Sequence, residues 1–597
     1  MRHLRLRHPS ADRRQLRPDL ATGRAMSVSN AEIAAVLEEI ADILELEEAN
    51  PFRIRAYRNA ARTLQAFAPD IAGLLASGQA LPKLPGIGED LAGKIGEIAS
   101  TGSCAILQRL RGEVPAGLRE LLKVSTLGPR RVARLWHELG IQTPAELQQA
   151  ARAGRIRQLH GFGEQTEERL LQAVELLLHT PQRWLLNRVA PIAERLVAEL
   201  GKVPGVIEVA TAGSFRRCRD TVGDLDILVS ARRGSPAIQR LTGDTEVGRV
   251  LAAGTTRASV LLHSGLQVDL RLLAPPSWGA GLLYLTGSKA HNIALRRMAQ
   301  GRGLKISEYG VYRGKQRIAG DSEEAMYQAL GLPWIAPELR EGRGEIEAAL
   351  AGTLPTLVEL GDLRGDLHAH TRASDGRNTL EEMATAAQSA GLEYLAITDH
   401  SHRLAITHGL DADGLARQIE QIDALNEQLV GITLLKGIEV DILEDGSLDL
   451  PDAILGRLDL VVGAVHSAFN LAKEQQTRRL LRAMEHRHFS ILAHPSGRLL
   501  GERPPINCDF TALIAAARQR GCALELNAQA ERLDLDDLHC REARDAGVPI
   551  AISSDAHRTL DFAGLRFGIG QARRGWLEAK DVLNTRPLAE LRRWLKR

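Results

Sequence analysis

The chain has 597 residues, 44% of them hydrophobic and 25% charged, which is typical of a globular protein with several domains. A net charge of +2 means that any surface for nucleic acid must be local. Five scattered cysteines without a C-x-x-C pair argue against a disulfide scaffold and favour a reducing compartment, and no apolar run approaches the ~18–20 residues of a membrane span.

The first 26 residues are rich in arginine and contain no apolar stretch, so they do not form a secretory signal. We expect residues 1–26 to be disordered. The favoured explanation is that Met26 is the true start of translation. The alternatives are a nucleic-acid-binding arm and a transit-like segment.

From residue 30, apolar residues recur at helical spacing, with a break at "ANPF". Three glycine-containing turns between helical stretches follow within ~100 residues, which indicates an internal helix-hairpin-helix repeat. In such a turn the backbone can approach a phosphate, and the next helix offers free N–H groups, so the turn binds the DNA backbone without reading bases. The predicted DNA-binding positions are Gly86, Gly88, Gly128, Gly161 and Gly163.

Three aspartates between residues 209 and 271 predict a second chemical site. Asp224 and Asp226 open an apolar strand at positions i and i+2, so both carboxylates face the same side. Asp269 lies within the apolar run "LQVDLRLL", where an unpaired buried carboxylate would be costly. A salt bridge with Arg271 or a sheet-edge position would explain Asp269 without a function. With two carboxylates nearby, a site for two magnesium ions is the better hypothesis.

Residues on either side of these carboxylates suit a triphosphate. Gly213 and Ser214 can donate hydrogen bonds to phosphate oxygens, and Arg217 can neutralise developing charge. A turn at 286–288 precedes a helix on which Asn292 and Arg296 share one face, a pattern that alone indicates only an ordinary helix.

In the last ~230 residues, seven short apolar runs alternate with helical stretches, and six of these runs end in His, Asp or Glu. This predicts parallel strands in a barrel, in which chemistry collects at the C-terminal ends of the strands. Nine ligands exceed the needs of one ion, so two or three ions are expected, with zinc, manganese and iron all suitable, and phosphoester hydrolysis as the natural reaction. The ligand residues are His368, His370, Asp375, His400, Glu439, His466, His494, Asp555 and His557.

Two sets of motifs carry a family resemblance. "GSFRR", "GDLDILV", "VDLRL" and "YLTGS" resemble DNA polymerase family X, the family of DNA polymerase beta, over about residues 27–335. "DLHAHTRASDG", "ITDHS", "GIEVDI", "AVHS", "AHP" and "SSDAH" resemble the polymerase and histidinol phosphatase (PHP) domain. Together they identify the chain as a bacterial family X polymerase with a C-terminal PHP domain.

The resemblance implies gap filling in DNA repair, such as base excision repair, and a PHP 3′–5′ exonuclease with plausible 3′-phosphatase and abasic-site endonuclease activity. The implied partners are gapped or primed double-stranded DNA and deoxynucleoside triphosphates. The resemblance also implies a monomer that is located in the cytoplasm, acts at the nucleoid and does not bind a membrane. The implied cofactors are two Mg²⁺ or Mn²⁺ ions in the polymerase and three Zn²⁺, Mn²⁺ or Fe²⁺ ions in the PHP domain.

The resemblance also implies residue roles. Asp224, Asp226 and Asp269 are the catalytic metal ligands of the polymerase, and the nine residues above are those of the PHP site. The remaining roles are triphosphate binding by Gly213, Ser214, Arg217 and Gly223, sugar contact by Tyr284 and Gly287, base contact by Asn292, and template contact by Arg296. Leu285 replaces the family's phenylalanine, which bears on sugar discrimination.

Lys94 matches the Schiff-base lysine of the family's lyase site. Asp90 stands where that site has a second lysine, and an acidic neighbour would raise the pKa of Lys94. The alternative for Lys94 is a solvated or phosphate-contacting side chain.

Asp366 and Asp399 flank predicted ligands, and we expect them to orient ligating imidazoles. Asn527 ends the one strand without a ligand, where it either lines the pocket or caps a helix.

The predicted architecture has N-terminal all-α helix-hairpin-helix domains, an α+β nucleotidyltransferase palm with a thumb, and a C-terminal α/β distorted (βα)7 barrel. The predicted segments are 1–26, a disordered Arg-rich extension; 27–105, a lyase-like hairpin domain; 106–180, helical fingers; 181–272, palm; 273–337, thumb; 338–363, linker; and 364–597, the PHP metallohydrolase.

Two other functions fit parts of the pattern. In one, the PHP domain is only a structural platform that positions DNA. In the other, the protein is a phosphatase of small phosphoesters with a DNA-binding adaptor.

Overall fold

A computed structural model of the protein describes residues 30–596 except 48, 67–70, 72–74, 76–82, 102, 123, 125–126, 180–182 and 404–407. The extension expected over residues 1–26 lies outside the described residues. The chain divides into two units, 1–181 and 182–597. All five cysteines are free thiols. None of the described helices is long and apolar enough to cross a membrane.

The first unit is helical in its described parts, as predicted. Pro51 opens the second helix, and the side chain of Asn50 accepts a hydrogen bond from the Phe52 N–H at 2.9 Å, which caps that helix after the break at "ANPF". The helices are α1 (Asn30–Leu46), α2 (Pro51–Ala66), α3 (Glu89–Thr101), α4 (Ala105–Glu113), α5 (Ala116–Leu121), α6 (Pro129–Leu139), α7 (Pro144–Arg152) and α8 (Glu164–His179).

The predicted hairpin turns precede helices in this unit. Gly86 and Gly161 have φ angles of +77° and +81°, a region that glycine enters without strain. Gly128 caps α6, while Gly88 and Gly163 immediately precede α3 and α8. Each turn therefore leads directly into a helix N-terminus.

The second unit begins with a mixed sheet in the order β2-β4-β7-β6-β5, in which only β4 and β7 run parallel. Apolar residues of these strands and of the preceding helix form one core. The elements are β1 (Trp184–Leu185), α9 (Leu186–Gly201), β2 (Val206–Thr211), α10 (Gly213–Arg216), β3 (Thr221–Val222), β4 (Asp224–Ala231), α11 (Ala237–Thr242), β5 (Val247–Ala253), β6 (Arg257–Leu262) and β7 (Gln267–Leu273).

A smaller helical and three-stranded subdomain follows, with its own core. Its elements are α12 (Trp278–Thr286), α13 (Lys289–Gly301), β8 (Lys305–Ser307), β9 (Gly310–Arg313), β10 (Gln316–Ala319) and α14 (Glu323–Ala329), after which α15 (Glu345–Ala351) lies in the predicted linker.

A buried ion cluster holds this subdomain to the sheet. Glu323 accepts two hydrogen bonds of 2.8 Å from Arg216, and two of 2.6 and 3.1 Å from Arg340. Burial opposes the charge of Glu323, but the two guanidinium groups outweigh it and lower its pKa to about 2. Arg216 also donates to the Thr286 hydroxyl at 2.7 Å, so the cluster supports the turn at 286–288.

Seven parallel strand runs form the C-terminal domain. One three-stranded sheet has the order β11-β12-β13, and one five-stranded sheet the order β14-β15-β16-β17-β18. The third run bends at residues 437–438, so its first half, β13, pairs with β12 and its second half, β14, with β15. A parallel bridge between Ala369 and Ala556 joins the ends of the first and last runs. Pairing therefore passes around a closed ring.

The elements of this ring alternate along the chain. They are β11 (Gly365–Asp366), α16 (Leu380–Ser389), β12 (Tyr394–Ile397), α17 (Ala412–Asn426), β13 (Thr433–Lys436), β14 (Glu439–Asp441), α18 (Asp452–Leu455), β15 (Val462–Ala464), α19 (Lys473–Met484), β16 (Ile491–Leu492), α20 (Phe510–Arg520), β17 (Ala523–Asn527), α21 (Asp537–Asp545), β18 (Ile550–Ser553), α22 (Leu565–Arg574) and α23 (Leu588–Leu595).

The ring domain packs against the sheet and subdomain that precede it. Arg574 donates to the Arg217 carbonyl at 2.9 Å, to Glu341 at 2.7 Å and to Asp537 at 2.6 Å. Leu533 of the ring domain is fully buried within the core of the β2–β7 sheet. Apolar and ionic contacts thus fix these parts of the second unit to each other.

Substituting Glu323→Gln will lower the free energy of unfolding of the second unit by about 3 kcal/mol, because it leaves two buried guanidinium groups without their counter-charge. Since the folded-state pKa lies below the ordinary 4.5, this stabilisation is complete above about pH 4.5 and is lost as the pH falls toward 2. Urea denaturation at pH 7 and pH 3 measures both effects. The exposed neighbour Glu324→Gln is the matched control, and equal midpoints for the two variants would contradict the assignment.

Candidate metal centres

Glu439 lies at the middle of a cluster of imidazoles in the ring domain. Its Oε1 lies 2.9 Å from His494 Nε2 and 3.2 Å from His466 Nε2. Its Oε2 lies 2.9 Å from His400 Nδ1, 3.4 Å from His368 Nε2 and 3.6 Å from His370 Nε2. One fully buried carboxylate therefore joins five of the predicted ligands.

The other two predicted carboxylates extend this cluster. Asp555 Oδ1 lies 3.1 Å from His370 Nε2, and Asp375 Oδ2 lies 3.4 Å from His400 Nε2 and 3.3 Å from His557 Nε2. Three groups bring their ligand atoms within 4.8 Å of one another: His370, Asp375, His400 and His557; His368, His370 and Asp555; and His400, Glu439 and His466. The ninth residue, His494, joins the cluster through Glu439.

Neighbouring groups in the cluster shift one another's pKa values, mostly toward the charged forms. Burial opposes the protonation of His400 and His557, but adjacent carboxylates outweigh it and raise their pKa values to about 10 and about 9. Burial and the neighbouring imidazoles lower the pKa of His370 to about 4, which keeps it a neutral donor. In Glu439, nearby histidines outweigh burial and hold the pKa well below its usual value.

The donor set fits divalent metal ions. His368 Nε2, His370 Nδ1 and Glu439 Oε2 are buried and, although charged groups lie close to them, they form no hydrogen bond. A buried polar atom without a partner is costly, and a metal ion would satisfy it. Mixed imidazole and carboxylate donors suit zinc, manganese and iron.

Two residues that the sequence analysis missed orient the ligands. His368 Nδ1 lies 2.7 Å from Glu525 Oε1, and His466 Nδ1 lies 2.6 Å from Asp441 Oδ1. Such carboxylates fix the ring orientation of a ligating imidazole. Strand alternation contained the signal for Glu525, because it lies two residues before Asn527 in a fully buried run and so faces the same side.

The orienting role expected for Asp366 and Asp399 is wrong. Asp366 accepts from the backbone N–H of His368 at 3.2 Å and of Ser554 at 3.2 Å. Asp399 accepts from the Thr371 N–H and hydroxyl and from the Ser374 hydroxyl, at 2.8, 2.6 and 2.5 Å. These carboxylates sit beside the backbone of the strand-end loops, where N–H and hydroxyl donors satisfy them, so they shape loops and not imidazoles.

Asn527 contacts the ligand cluster, which favours the first of its two expected roles. Its amide donates to Asp555 Oδ2 at 2.9 Å. Asp555 and His494 have φ angles of +52° and +26°, which are strained for residues other than glycine. The ring thus holds its ligands in conformations that an unconstrained chain would avoid.

The three predicted aspartates of the β2–β7 sheet lie on neighbouring strands. Parallel pairing of β4 with β7 puts Asp226 directly beside Asp269. A Cβ atom on Gly213, whose φ is +60°, would lie 2.0 Å from Asp226 Oδ2, so only glycine fits next to this carboxylate. Burial, and next the charges of Asp224 and Asp269, raise the pKa of Asp226 to about 7.

The three aspartates lie less close together than the ligands of the ring cluster. Asp269 accepts hydrogen bonds from the Ser259 hydroxyl and, at 2.8 Å, from the Gln267 amide, while Arg271 pairs with Glu308 at 3.3 Å and not with Asp269. Among the described residues, the three aspartates do not bring their oxygen atoms together as closely as the ring ligands do.

Some of the predicted nucleotide-binding residues lie beside the aspartates, and others form a separate group in the following subdomain. Arg217 donates to the Thr286 carbonyl and, at 3.0 Å, to Glu341, and its charge opposes the rise in the pKa of Asp226. Ser214 lies beside Gly213 in α10, Gly223 immediately precedes β4, and Gly287 ends α12. Tyr284 is 41% exposed, its carbonyl accepts from the Asn292 amide at 2.8 Å, and both residues line one shallow depression with Arg296.

Lys94 in the first unit contacts Asp90, one turn earlier in α3, and its Nζ lies 5.9 Å from the centre of the Tyr57 ring. Burial favours the neutral amine, but the hydrogen bond to Asp90 and the nearby charges outweigh it and raise the pKa of Lys94. The acidic neighbour therefore has the effect predicted from the sequence.

Comparison with known families agrees with this geometry. The sequence matches the helix-hairpin-helix domain family over residues 28–104 and the SAM-like helix-hairpin-helix tandem family over 118–175. It matches the DNA polymerase beta thumb family over 281–341 and the PHP domain family over 366–529.

Individual proteins are similar over two different extents. The chain is 38% identical over 570 residues to the DNA polymerase/3′-5′ exonuclease PolX of Bacillus subtilis (strain 168), which covers 95% of this chain and 99% of that protein. A probable phosphatase of Thermoanaerobacter sp. (strain X514) is 28% identical over 242 residues, 39% of this chain and 94% of that protein. A probable phosphatase of Acetivibrio thermocellus is 31% identical over 206 residues, 33% of this chain and 80% of that protein.

Substituting Glu439→Gln will weaken Mn²⁺ binding by at least about 100-fold, because the carboxylate shared by five imidazoles loses its charge. Titration calorimetry and elemental analysis of the full-length protein measure affinity and stoichiometry. Glu444→Gln, an exposed residue three positions beyond β14, is the control. Equal Mn²⁺ binding by the two variants would contradict the arrangement described here.

Proposed function

The chain belongs to the PolX family of bacterial DNA polymerases with a PHP domain, and we propose that it fills short gaps in DNA and shortens DNA 3′ ends at two separate metal centres. The observation that carries the proposal is the presence, in one chain, of the β2–β7 aspartate set and the ring cluster around Glu439. The similarity to the Bacillus subtilis protein over 99% of its length supports this pairing of activities.

In the polymerase centre, which lies in the proposed palm, Asp224, Asp226 and Asp269 would hold the catalytic ions. Asp269, placed beside Asp226 by strand pairing, accepts the proton of the primer 3′-hydroxyl. Gly213, Ser214 and Gly223 bring the backbone close to the triphosphate, and Arg217 neutralises charge on its oxygens. The position of Arg217 beside both Asp226 and the turn at 286–288 supports this role.

Nucleotide selection belongs to the proposed thumb. Tyr284 and Gly287 contact the sugar, Asn292 the incoming base and Arg296 the template strand. The shared depression of Tyr284, Asn292 and Arg296 supports this grouping. Leu285, beside Tyr284, packs against the apolar cluster of Leu228, Leu273 and Leu282. Because a leucine replaces the family's phenylalanine at this position, we propose that the Tyr284 ring is supported less rigidly and that sugar discrimination is relaxed.

In the PHP centre, the nine residues around Glu439 position a DNA 3′ end for hydrolysis. When bound, divalent ions (two Mg²⁺ or Mn²⁺ in the palm, three Zn²⁺, Mn²⁺ or Fe²⁺ in the PHP domain) supply the Lewis acidity that both phosphate reactions need. Glu525 and Asp441 keep His368 and His466 oriented. The similarity of this domain to probable phosphatases supports additional 3′-phosphatase action, and we assign abasic-site endonuclease action to the same centre.

The helical unit binds the DNA backbone through Gly86, Gly88, Gly128, Gly161 and Gly163. The substrates are gapped or primed duplex DNA and deoxynucleoside triphosphates, acted on by a monomer in the bacterial cytoplasm at the nucleoid. The seven-segment division from the extension at 1–26 to the PHP domain at 364–597 is part of this proposal.

A primer assay on a one-nucleotide gap with Mn²⁺ will distinguish the activities of the two centres. Asp269→Ala will reduce primer extension by at least about 100-fold and leave primer shortening, because it removes one metal ligand and the proton acceptor of the palm alone. The double variant His368→Ala/His370→Ala will lose shortening and retain extension.

Wild type and both variants are compared with and without nucleotides. A wild-type protein that shortens primers but never extends them would refute the polymerase assignment. Loss of both activities in either variant would refute the separation of the two centres.

Lys94 is the candidate lyase residue, and Asp90 sets its reactivity. A Schiff base requires a neutral amine, and Asp90 stabilises the protonated form. Borohydride trapping on abasic DNA at pH 7 will therefore give little adduct with wild type and several-fold more with Asp90→Asn. Lys94→Ala in the Asp90→Asn background is the control, and an unchanged yield in Asp90→Asn would show that Asp90 does not restrain the lysine.

A further inference from the structure

The loop at 529–535 in the PHP domain packs against the palm. Leu533 is fully buried in the apolar core formed by the palm strands and α9. Glu531 accepts a hydrogen bond from the side chain of Asn187, at the start of α9, at 2.8 Å. The conformation of this PHP loop therefore depends on residues of the polymerase half.

Arg498 fastens the same loop from the PHP side. Its guanidinium donates to the carbonyl groups of Arg532 and Leu533 at 2.8 and 2.5 Å. It also forms an ion pair with the palm residue Asp220 at 3.5 Å. A third fastening is Asp534, whose carboxylate accepts from the Ser496 N–H at 3.0 Å. The backbone around Arg532 is thus held by both domains.

Arg532 points from this loop to the metal cluster. Its Nε forms an ion pair with Asp555 Oδ2 at 3.8 Å, beyond hydrogen-bond distance, and is buried without a hydrogen-bond partner. Asp555 uses its other oxygen, Oδ1, toward His370. Only 19% of the Arg532 side chain is exposed, and its guanidinium donates no hydrogen bond to any residue that the structure describes. A mostly buried guanidinium group whose N–H groups have no hydrogen-bond acceptor is energetically costly. These N–H groups are therefore available to hydrogen-bond an acceptor on a bound ligand.

The surroundings favour an anionic acceptor. Arg503 lies near Arg532, and burial and next the charge of Arg532 lower its pKa. The Arg503 guanidinium lies 3.9 Å above the ring of Phe469. The Nε of Arg503 donates to the Gly497 carbonyl at 2.9 Å, while Arg532 lies beside the proposed PHP centre. The two neighbouring guanidinium groups match the charge of a phosphate, which arginine binds with parallel hydrogen bonds.

We propose that Arg532 binds a non-bridging oxygen of the DNA phosphate at the PHP centre, and that the palm holds Arg532 in position through the loop at 529–535. This inference rests on the proposed exonuclease function. The polymerase half then positions a substrate-binding residue of the nuclease half. The two halves are therefore coupled through the substrate site and not only joined by the chain.

The test uses full-length Arg532→Ala and Arg532→Lys, with Arg566→Ala as the matched control. Arg566 forms an ion pair with Glu194 at 2.5 Å between the same two domains but outside the loop. Removing a charged hydrogen-bond donor predicts a rise of about tenfold or more in the KM for primer shortening with Arg532→Ala. A smaller rise is expected with Arg532→Lys, which retains the charge but not the fork, and none with Arg566→Ala.

Bound Mn²⁺, measured by elemental analysis, separates this role from a structural one. Unchanged metal content together with the raised KM supports phosphate binding. A loss of Mn²⁺ in Arg532→Ala would show that Arg532 acts by positioning Asp555, and an unchanged KM would show no contact with substrate; either result overturns the proposal.

The palm's part is tested from the palm side. The double variant Asn187→Ala/Asp220→Asn removes two anchors of the loop, and Glu194→Gln removes the ion pair outside it. The first is expected to raise the KM for shortening several-fold at unchanged Mn²⁺ content, and the second to leave it unchanged. Equal KM values for these two palm variants would overturn the claim that the palm positions Arg532.

If wild-type protein does not shorten DNA, the proposed exonuclease function fails. Hydrolysis of bis(4-nitrophenyl) phosphate with Mn²⁺ then provides the same KM comparison between wild type, Arg532→Ala and Arg566→Ala. A selective rise in Arg532→Ala would still support phosphate binding, and equal values would overturn it.

Discussion

The buried charge of Glu439 is the constraint on which the PHP half depends. A carboxylate removed from water is tolerated only when positive or donor groups surround it, and five imidazoles do so within 3.6 Å. Those imidazoles come from the ends of four different strand runs, which only a ring of parallel strands brings to one place. The positive φ angles at His494 and Asp555 are local strain that the surrounding ring sustains.

The two metal centres differ in how far the chain itself assembles them. The residues proposed for the PHP centre are six histidines and three carboxylates, so opposite charges hold the set together. The palm set consists of three carboxylates. Burial, and next the repulsion from Asp224 and Asp269, raise the pKa of Asp226 to about 7, whereas the surrounding histidines lower the pKa of Glu439. Asp269 is meanwhile occupied by Ser259 and Gln267. We infer that the proposed palm centre needs cations to close, whereas the proposed PHP centre is preformed.

The structure brings both predicted sets of residues together because these residues occupy repeated positions relative to strands. Asp224 and Asp226 follow strand alternation, and the PHP ligands follow strand ends, so short patterns were sufficient. The hairpin turns at Gly86 and Gly161 were equally visible, since each precedes a helix.

What the sequence could not supply was contact between distant segments. Glu525 and Asp441 bond to ligands 157 and 25 residues away. Strand alternation places Glu525 on the same face as Asn527, but no local pattern shows which imidazole a carboxylate contacts, or that Asp366 and Asp399 bond to backbone and hydroxyl groups instead. Arg532 shows the same limit, because its position follows from burial of Leu533 in a core whose other members lie more than 250 residues earlier. A charged residue next to a motif is expected to lie near the site, but only the fold shows which group its side chain contacts.

Anomalous diffraction from crystals of the full-length protein tests the central claim most directly. With Mn²⁺ alone, we expect strong peaks among the nine PHP residues and little density between Asp224, Asp226 and Asp269. Adding gapped DNA and a non-hydrolysable nucleoside triphosphate should then give peaks in the palm. Absence of ordered Mn²⁺ around Glu439, or full occupancy of the palm without nucleotide, would contradict a preformed PHP centre paired with a palm that cations must close.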